Sequence, residues 1–153
     1  MKKYFLLLCL ITAASSSCRL KAPYDLVKQA KTDEAAIQNY IKAKGINAVK
    51  DSSGVYYEII KPGTTAHPTA NSTVTVNYKG ELLNGSVFDS AQGYKNALSG
   101  LIPGWITGIP HIGTGGKIVL IIPSAQGYGN NEAGSIPENS VLVFNIDLLG
   151  FTN

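Results

Sequence analysis

Few residues in this chain can do covalent, redox or metal chemistry. It has 153 residues, with two cysteines, Cys9 and Cys18, and two histidines, His67 and His111. Cys9 lies inside an apolar N-terminal run, so no disulfide framework is available to staple the fold. Neither histidine has acidic or thiol partners at ligand spacing, which argues against a metal site, and nothing calls for a cofactor. There is no G-x-S-x-G elbow and no pair of acids within one segment of the kind glycoside hydrolysis uses. Charged residues make up only 15%; setting aside Lys2 and Lys3 leaves 11 basic against 10 acidic residues, a net charge of +1 with no footprint for nucleic acid. Gly113-Thr114-Gly115-Gly116-Lys117 is no phosphate loop, because His111 and Ile118 stand where Gly and Ser or Thr are needed. It reads as a turn before a strand.

What is present begins with a targeting segment. Met1-Lys2-Lys3 is a basic start, Tyr4 to Ala14 an apolar run too short to span a bilayer comfortably, and Ser15-Ser16-Ser17 a run of small residues. Small residues running into Cys18 resemble the lipobox of a bacterial lipoprotein signal, in which the cysteine is lipidated and becomes the new N-terminus. Serine at all three preceding positions departs from the commonest pattern, and an ordinary secretory signal cut near Ala14 or Ser16 is the alternative. The expected organisation is a signal segment at 1–17, a tether and N-terminal helix at 18–50, and one domain at 51–153.

Polar, basic sequence from Arg19 to about Lys31 reads as the tether. Thr32-Asp33-Glu34 reads as a helix start, with a capping hydroxyl and two acids at the positive end of the dipole. Ile37, Tyr40, Ile41 and Lys44 keep helical spacing, and Gly45 is placed as the C′ residue. Such a stripe suits packing on the domain or, alternatively, a partner helix in a dimer. Strands are expected from Val55 to Ile60, around Val74 to Leu82 with period-2 alternation, from Lys117 to Ile122 as a continuous apolar run, and from Val141 to Leu149. Asn84-Gly85 suits a tight two-residue hairpin turn. The return strand starts at Val87-Phe88 and is expected to break at Asp89-Ser90, with Gln92 to Ser99 irregular. Pro103 suits the first turn of a short helix that Pro110 keeps from running on. Pro123 to Asn139 is a long loop. The fold class is therefore α+β: a curved antiparallel sheet wrapped around one short helix, with an N-terminal helix outside the core domain.

Aromatic and aliphatic residues remain, spread over segments that such a sheet would gather. V-N-Y-K-G-E-L-L-N-G-S-V-F-D-S, then L-I-P-G-W, G-Y-G and S-I-P-E-N-S-V-L-V-F resemble the FKBP family of peptidyl-prolyl cis-trans isomerases. The resemblance covers about residues 52 to 151. It implies a proline-binding pocket with Trp105 as floor, Tyr78, Phe88 and Phe144 as walls, and Leu101 and Ile102 as rim, with Ile136 lining it. It also implies that the Ile102 N–H and the Tyr128 hydroxyl contact substrate carbonyls and that Asp89 sits near the rotating bond. The stretch between Asp89 and Leu98 departs from the family: Asn96 stands where an aromatic is usual, and Tyr94 is expected to cover for it.

By that resemblance the chain would accelerate X–Pro isomerisation in proline-containing unfolded or partner polypeptides. It would need no cofactor and would bind macrolide inhibitors of the family type. A lipid on Cys18 would anchor it in the bacterial cell envelope, at the outer membrane facing the periplasm. The alternative is a module that holds proline-containing segments, as a chaperone would, without appreciable turnover.

Overall fold

The computed structural model describes residues 24–153; the expected signal segment and Cys18 lie outside the described residues. Its first helix, α1 (Leu26–Lys44), starts at Leu26 and not at Thr32. Asp25 is the cap, its Oδ1 accepting from the N–H groups of Val27 and Lys28 at 3.0 Å each. Leu26 and Val27 are exposed, so no apolar stripe announces this first turn. Thr32, Asp33 and Glu34 lie mid-helix, where the Thr32 hydroxyl donates back to Lys28 O at 3.0 Å. The end is where the sequence puts it: Gly45 takes a left-handed φ of +66° and its N–H donates to Ile41 O.

Six antiparallel strands form one sheet: β1 (Val49–Lys50), β2 (Tyr56–Lys61), β3 (Thr73–Leu82), β4 (Val87–Ala97), β5 (Lys117–Ile122) and β6 (Leu142–Thr152). Their order across the sheet is β1-β2-β5-β6-β3-β4. One face packs on the short helix α2 (Pro103–Gly108), and Trp105, Ile109, Leu120, Ile122, Phe144 and Ile146 are central to that core. Alternate residues on the opposite face, Tyr56, Ile121, Val141 and Val143, meet Ile37, Tyr40 and Ile41 of α1. The N-terminal helix is thus a second layer on the sheet. The two-residue strand β1, which carries too little pattern to be read in advance, joins it across the boundary expected at residue 50.

Two local expectations are corrected. The β3–β4 connection is a three-residue loop and not a two-residue turn: Gly85 N–H donates to Leu82 O at 2.8 Å, and Leu82 N–H donates to Ser86 O at 2.9 Å. Only Gly85 takes positive φ, +86°, so the loop is a turn closed by a left-handed residue. The return strand, moreover, does not break at Asp89-Ser90. β4 runs on to Ala97, interrupted by two irregularities against β3: Gly80 pairs with Asp89 while Glu81 pairs with Val87, and Val76 pairs with Tyr94 while Tyr78 pairs with Ala91. Each inserts an extra residue on β4, and together they destroy the alternation by which a strand is recognised.

Candidate active site

The cavity opens between β3, β4, β6, α2 and the loop after β5, and encloses about 570 Å³. Tyr78, Phe88, Asp89, Tyr94, Leu101, Ile102, Trp105, Tyr128, Ile136 and Phe144 all border it. Their convergence follows from sheet geometry. Tyr78 and Gly80 are two apart on β3 and so share a face. Gly80 pairs with Asp89 on one side and with Phe144 on the other. A Cβ at Gly80 would come within 2.5 Å of Phe88 Cε2 and 2.8 Å of Phe144 Cε1, so the rings from both neighbouring strands occupy the space a side chain there would need. The extra residue in β4 at this point turns Phe88 towards them.

Trp105 enters from below, two residues after Pro103 sets the first turn of α2. A Cβ at Gly104 would lie 2.5 Å from the Ile122 side chain, so α2 sits close on β5 and the indole is held at 4% exposure. Trp105 meets Tyr78 edge-on at 5.1 Å between ring centres and Phe144 at 5.2 Å. Phe88 meets Phe144 at 5.4 Å, again edge-to-face. Each such pair adds about 0.5–1.5 kcal/mol beyond its buried area, so the floor and walls brace one another. The Trp105 indole Nε1 is a buried donor with no hydrogen-bond partner in the structure.

Among the described residues, only one carboxylate borders the cavity. Asp89 Oδ2 accepts a hydrogen bond from the Tyr78 hydroxyl at 2.6 Å. Burial, then this bond and the Asp89 charge, push the Tyr78 hydroxyl well above the usual phenol range, so it stays protonated through neutral pH. Tyr94 stands edge-on to Tyr78 at 5.6 Å, and its hydroxyl accepts from Asn96 Nδ2 at 2.8 Å. Tyr94 thus brings an aromatic ring to the cavity from the 89–98 edge.

The remaining wall is the loop after β5. A 3-10 turn, Ser124–Gln126, leads to Tyr128, which is 40% exposed at the mouth. Ala133 and Ile136 then exchange backbone hydrogen bonds at 3.0 and 2.9 Å, which turns Ile136 inward. Gly100, Ala133, Gly134 and Ser135 also line the cavity, and sequence reasoning missed them. Small side chains carry no pattern, and only the turn-forming Gly134, with φ of +58°, left a signal that could have been read.

Among the described residues at the cavity, the hydroxyl paired with a carboxylate is that of Tyr78, and burial and Asp89 keep it protonated. What the arrangement offers is an aromatic-walled cup with a buried N–H at the floor and hydroxyls at the rim. Comparisons with known proteins agree with that description. Residues 64–149 match the family of FKBP-type peptidyl-prolyl cis-trans isomerases. The chain is 36% identical over 138 residues to the FKBP-type peptidyl-prolyl cis-trans isomerase FkpA of Escherichia coli K12, covering 88% of this chain and 50% of that protein. Its counterpart in Buchnera aphidicola subsp. Schizaphis graminum is 43% identical over 124 residues, covering 76% of this chain and 48% of that protein. The chain therefore spans about half the length of the curated relatives it matches. Among solved structures it resembles the peptidyl-prolyl cis-trans isomerase of Pseudomonas syringae pv. tomato, with a TM-score of 0.73 and 30% identity over 87% of this chain and 100% of that one. Crystalline FkpA from Escherichia coli gives a TM-score of 0.72 at 36% identity, over 82% of this chain and 62% of that one. With its family motifs in order and the matched segment covering more than half of its length, the chain belongs to the FKBP-type peptidyl-prolyl cis-trans isomerases.

Proposed function

We propose that this protein accelerates cis-trans isomerisation of X–Pro bonds in polypeptides that are folding outside the cytoplasm. The observation that carries the reading is the cup of Tyr78, Phe88, Trp105 and Phe144, apolar, mutually braced and without a nucleophile. Rotation about an amide costs about 18–20 kcal/mol because resonance makes the C–N bond partly double. The uncatalysed exchange of an X–Pro bond takes roughly tens to hundreds of seconds. In the twisted transition state resonance is lost and the carbonyl is less polar than in either planar form. A cup that keeps water from the carbonyl disfavours the planar states, and one shaped for the twisted imide binds it more tightly. Each ~1.4 kcal/mol of that difference is about a factor of ten in rate.

In this reading Trp105 is the floor beneath the proline ring, and Tyr78, Phe88 and Phe144 are the walls, with Tyr94 and Ile136 completing the apolar lining. Leu101 and Ile102 form the rim, and the Ile102 N–H and Tyr128 hydroxyl hold carbonyls on either side of the bond. Asp89, tied to the Tyr78 hydroxyl, lies beside the bond and fixes the Tyr78 ring. Family-type macrolides would compete for the same cup. The envelope setting, with a signal segment at 1–17, a lipid on Cys18 and an anchor in the outer membrane facing the periplasm, is part of the proposal and is supported by the sequence of the first 18 residues alone. If two copies associate through α1, they would use its outer face, since Ile37, Tyr40 and Ile41 lie on the chain's own sheet.

A protease-coupled assay on proline peptides tests the activity. Wild-type protein should accelerate exchange, and Trp105→Ala or Phe88→Ala, checked for folding by circular dichroism, should lose about tenfold or more. Peptide binding without acceleration would favour the holding module instead. Wild-type rates in folded variants would sink the cup mechanism.

A further inference from the structure

Asp33 is 3% exposed in the middle of α1, yet it borders no part of the cavity. Its Oδ2 accepts two hydrogen bonds from a single residue, the Ser124 N–H at 2.8 Å and the Ser124 hydroxyl at 2.7 Å. Its Oδ1 accepts from Gln29 Nε2 at 2.7 Å. A buried carboxylate is costly unless its oxygens are met, and here both are.

Ser124, itself fully buried, opens the 3-10 turn after β5. Its carbonyl accepts from two further amides, Gly127 N–H at 3.0 Å and Gly129 N–H at 2.8 Å. Tyr128 lies between those glycines, with 40% of its surface exposed at the mouth, so its stance follows the backbone that the two glycines fix. Gly129 O in turn accepts from Asn139 N–H at 2.8 Å, so the same knot closes the far end of the loop that carries Ala133 to Ile136. A continuous run of hydrogen bonds thus joins the underside of the N-terminal helix to the mouth of the cavity.

We propose that Asp33 is a positioning residue: through Ser124 it fixes the stance of Tyr128, so that α1 governs substrate contact in a cavity it does not touch. The kinetic consequence rests on the isomerase reading; the structural one does not. Space-filling alone would be served by an apolar side chain. Two donors converging on one oxygen at the base of the loop fix its direction as well as its depth.

The test uses the full chain, with Asp33→Ala made alone and together with Tyr128→Phe. Amide hydrogen exchange is read at Gly127 and Gly129, with Leu120 and Ile146 in the central strands as reference. Asp33→Ala should speed exchange at the two glycines by about tenfold or more and leave the reference amides unchanged. It should lower kcat/KM about threefold or more in the otherwise wild-type chain and not at all in the Tyr128→Phe background. Unchanged exchange at the glycines, a uniform rise that includes Leu120 and Ile146, unchanged kcat/KM, or an equal loss with and without the Tyr128 hydroxyl would each overturn the proposal. Should Asp33→Ala fail to fold, Ser124→Ala, which deletes only the hydroxyl donor, is read against the same outcomes. If the wild-type chain accelerates nothing, the activity reading fails by itself and the exchange data alone decide this one.

Discussion

A missing side chain shapes the cavity as much as the aromatic ones do. Gly80 pairs with Asp89 and Phe144 and leaves room for two rings to close over it. Gly80→Ala should therefore cost roughly 1–3 kcal/mol in overpacking and spread the Phe88–Phe144 pair, lowering kcat/KM while the far-UV spectrum stays native. The Tyr78 hydroxyl gives a prediction about pH. Its folded value is raised above the ordinary 10.0, first by burial and then by Asp89. A raised value means that the unfolded chain ionises first, so the contribution of this group to stability is intact below about pH 10 and is lost as the pH rises beyond it. Catalysis by twisting moves no proton, so kcat/KM should stay flat between about pH 6 and 9 in a buffer series, and a bell-shaped profile would point to acid–base chemistry instead. At this scale the sequence was informative wherever a residue was large. Tyr78, Phe88, Trp105 and Phe144 sit in motifs and carry bulk, whereas Ala133, Gly134 and Ser135 line the wall with small side chains, of which Gly134 alone carries a turn signal.

Among the elements, β3 and β6 were legible because each has one face on the core and alternates accordingly. β4 was not, because it is an edge strand whose two extra residues put Phe88, Ala91 and Tyr94 at intervals that fit neither strand nor helix. The start of α1 was missed for a related reason: its first turn buries nothing, and the acid that looked like a helix start, Asp33, is turned inward to Ser124. The docking of α1 has its own tests. Ile37 is 1% exposed between helix and sheet, and Ile37→Ala should cost roughly 2–5 kcal/mol in a denaturant titration. Glu34 ties the same helix to β1 and β2: it accepts from Lys50 Nζ at 2.7 Å, from the Tyr56 hydroxyl at 2.5 Å and from Gln38 Nε2 at 3.1 Å. These bonds, with Lys50 first, lower its carboxyl from 4.5 to about 2. A lowered folded value stabilises above the unfolded one and is lost as pH falls through the folded one, so this contribution should fade between about pH 4.5 and pH 2. Glu34→Gln should flatten that part of the acid-unfolding curve.

For the molecule as a whole, the sheet is a partition. One face and α2 build the cup, and the other face needs α1 to cover Tyr56, Ile121, Val141 and Val143. A chain shortened to begin at Val49 should melt at a lower temperature and bind an apolar dye, because that patch becomes solvent-exposed. Its aromatic cup should survive, and any loss of activity should match that of Asp33→Ala, since both remove the hold on Ser124. The sheet order also leaves its longest rim, the outer side of β4, open beside the cavity. The two kinks in that rim deny an extended strand of any neighbouring chain a straight row of amides and carbonyls to anneal to, so the edge is guarded against sideways growth.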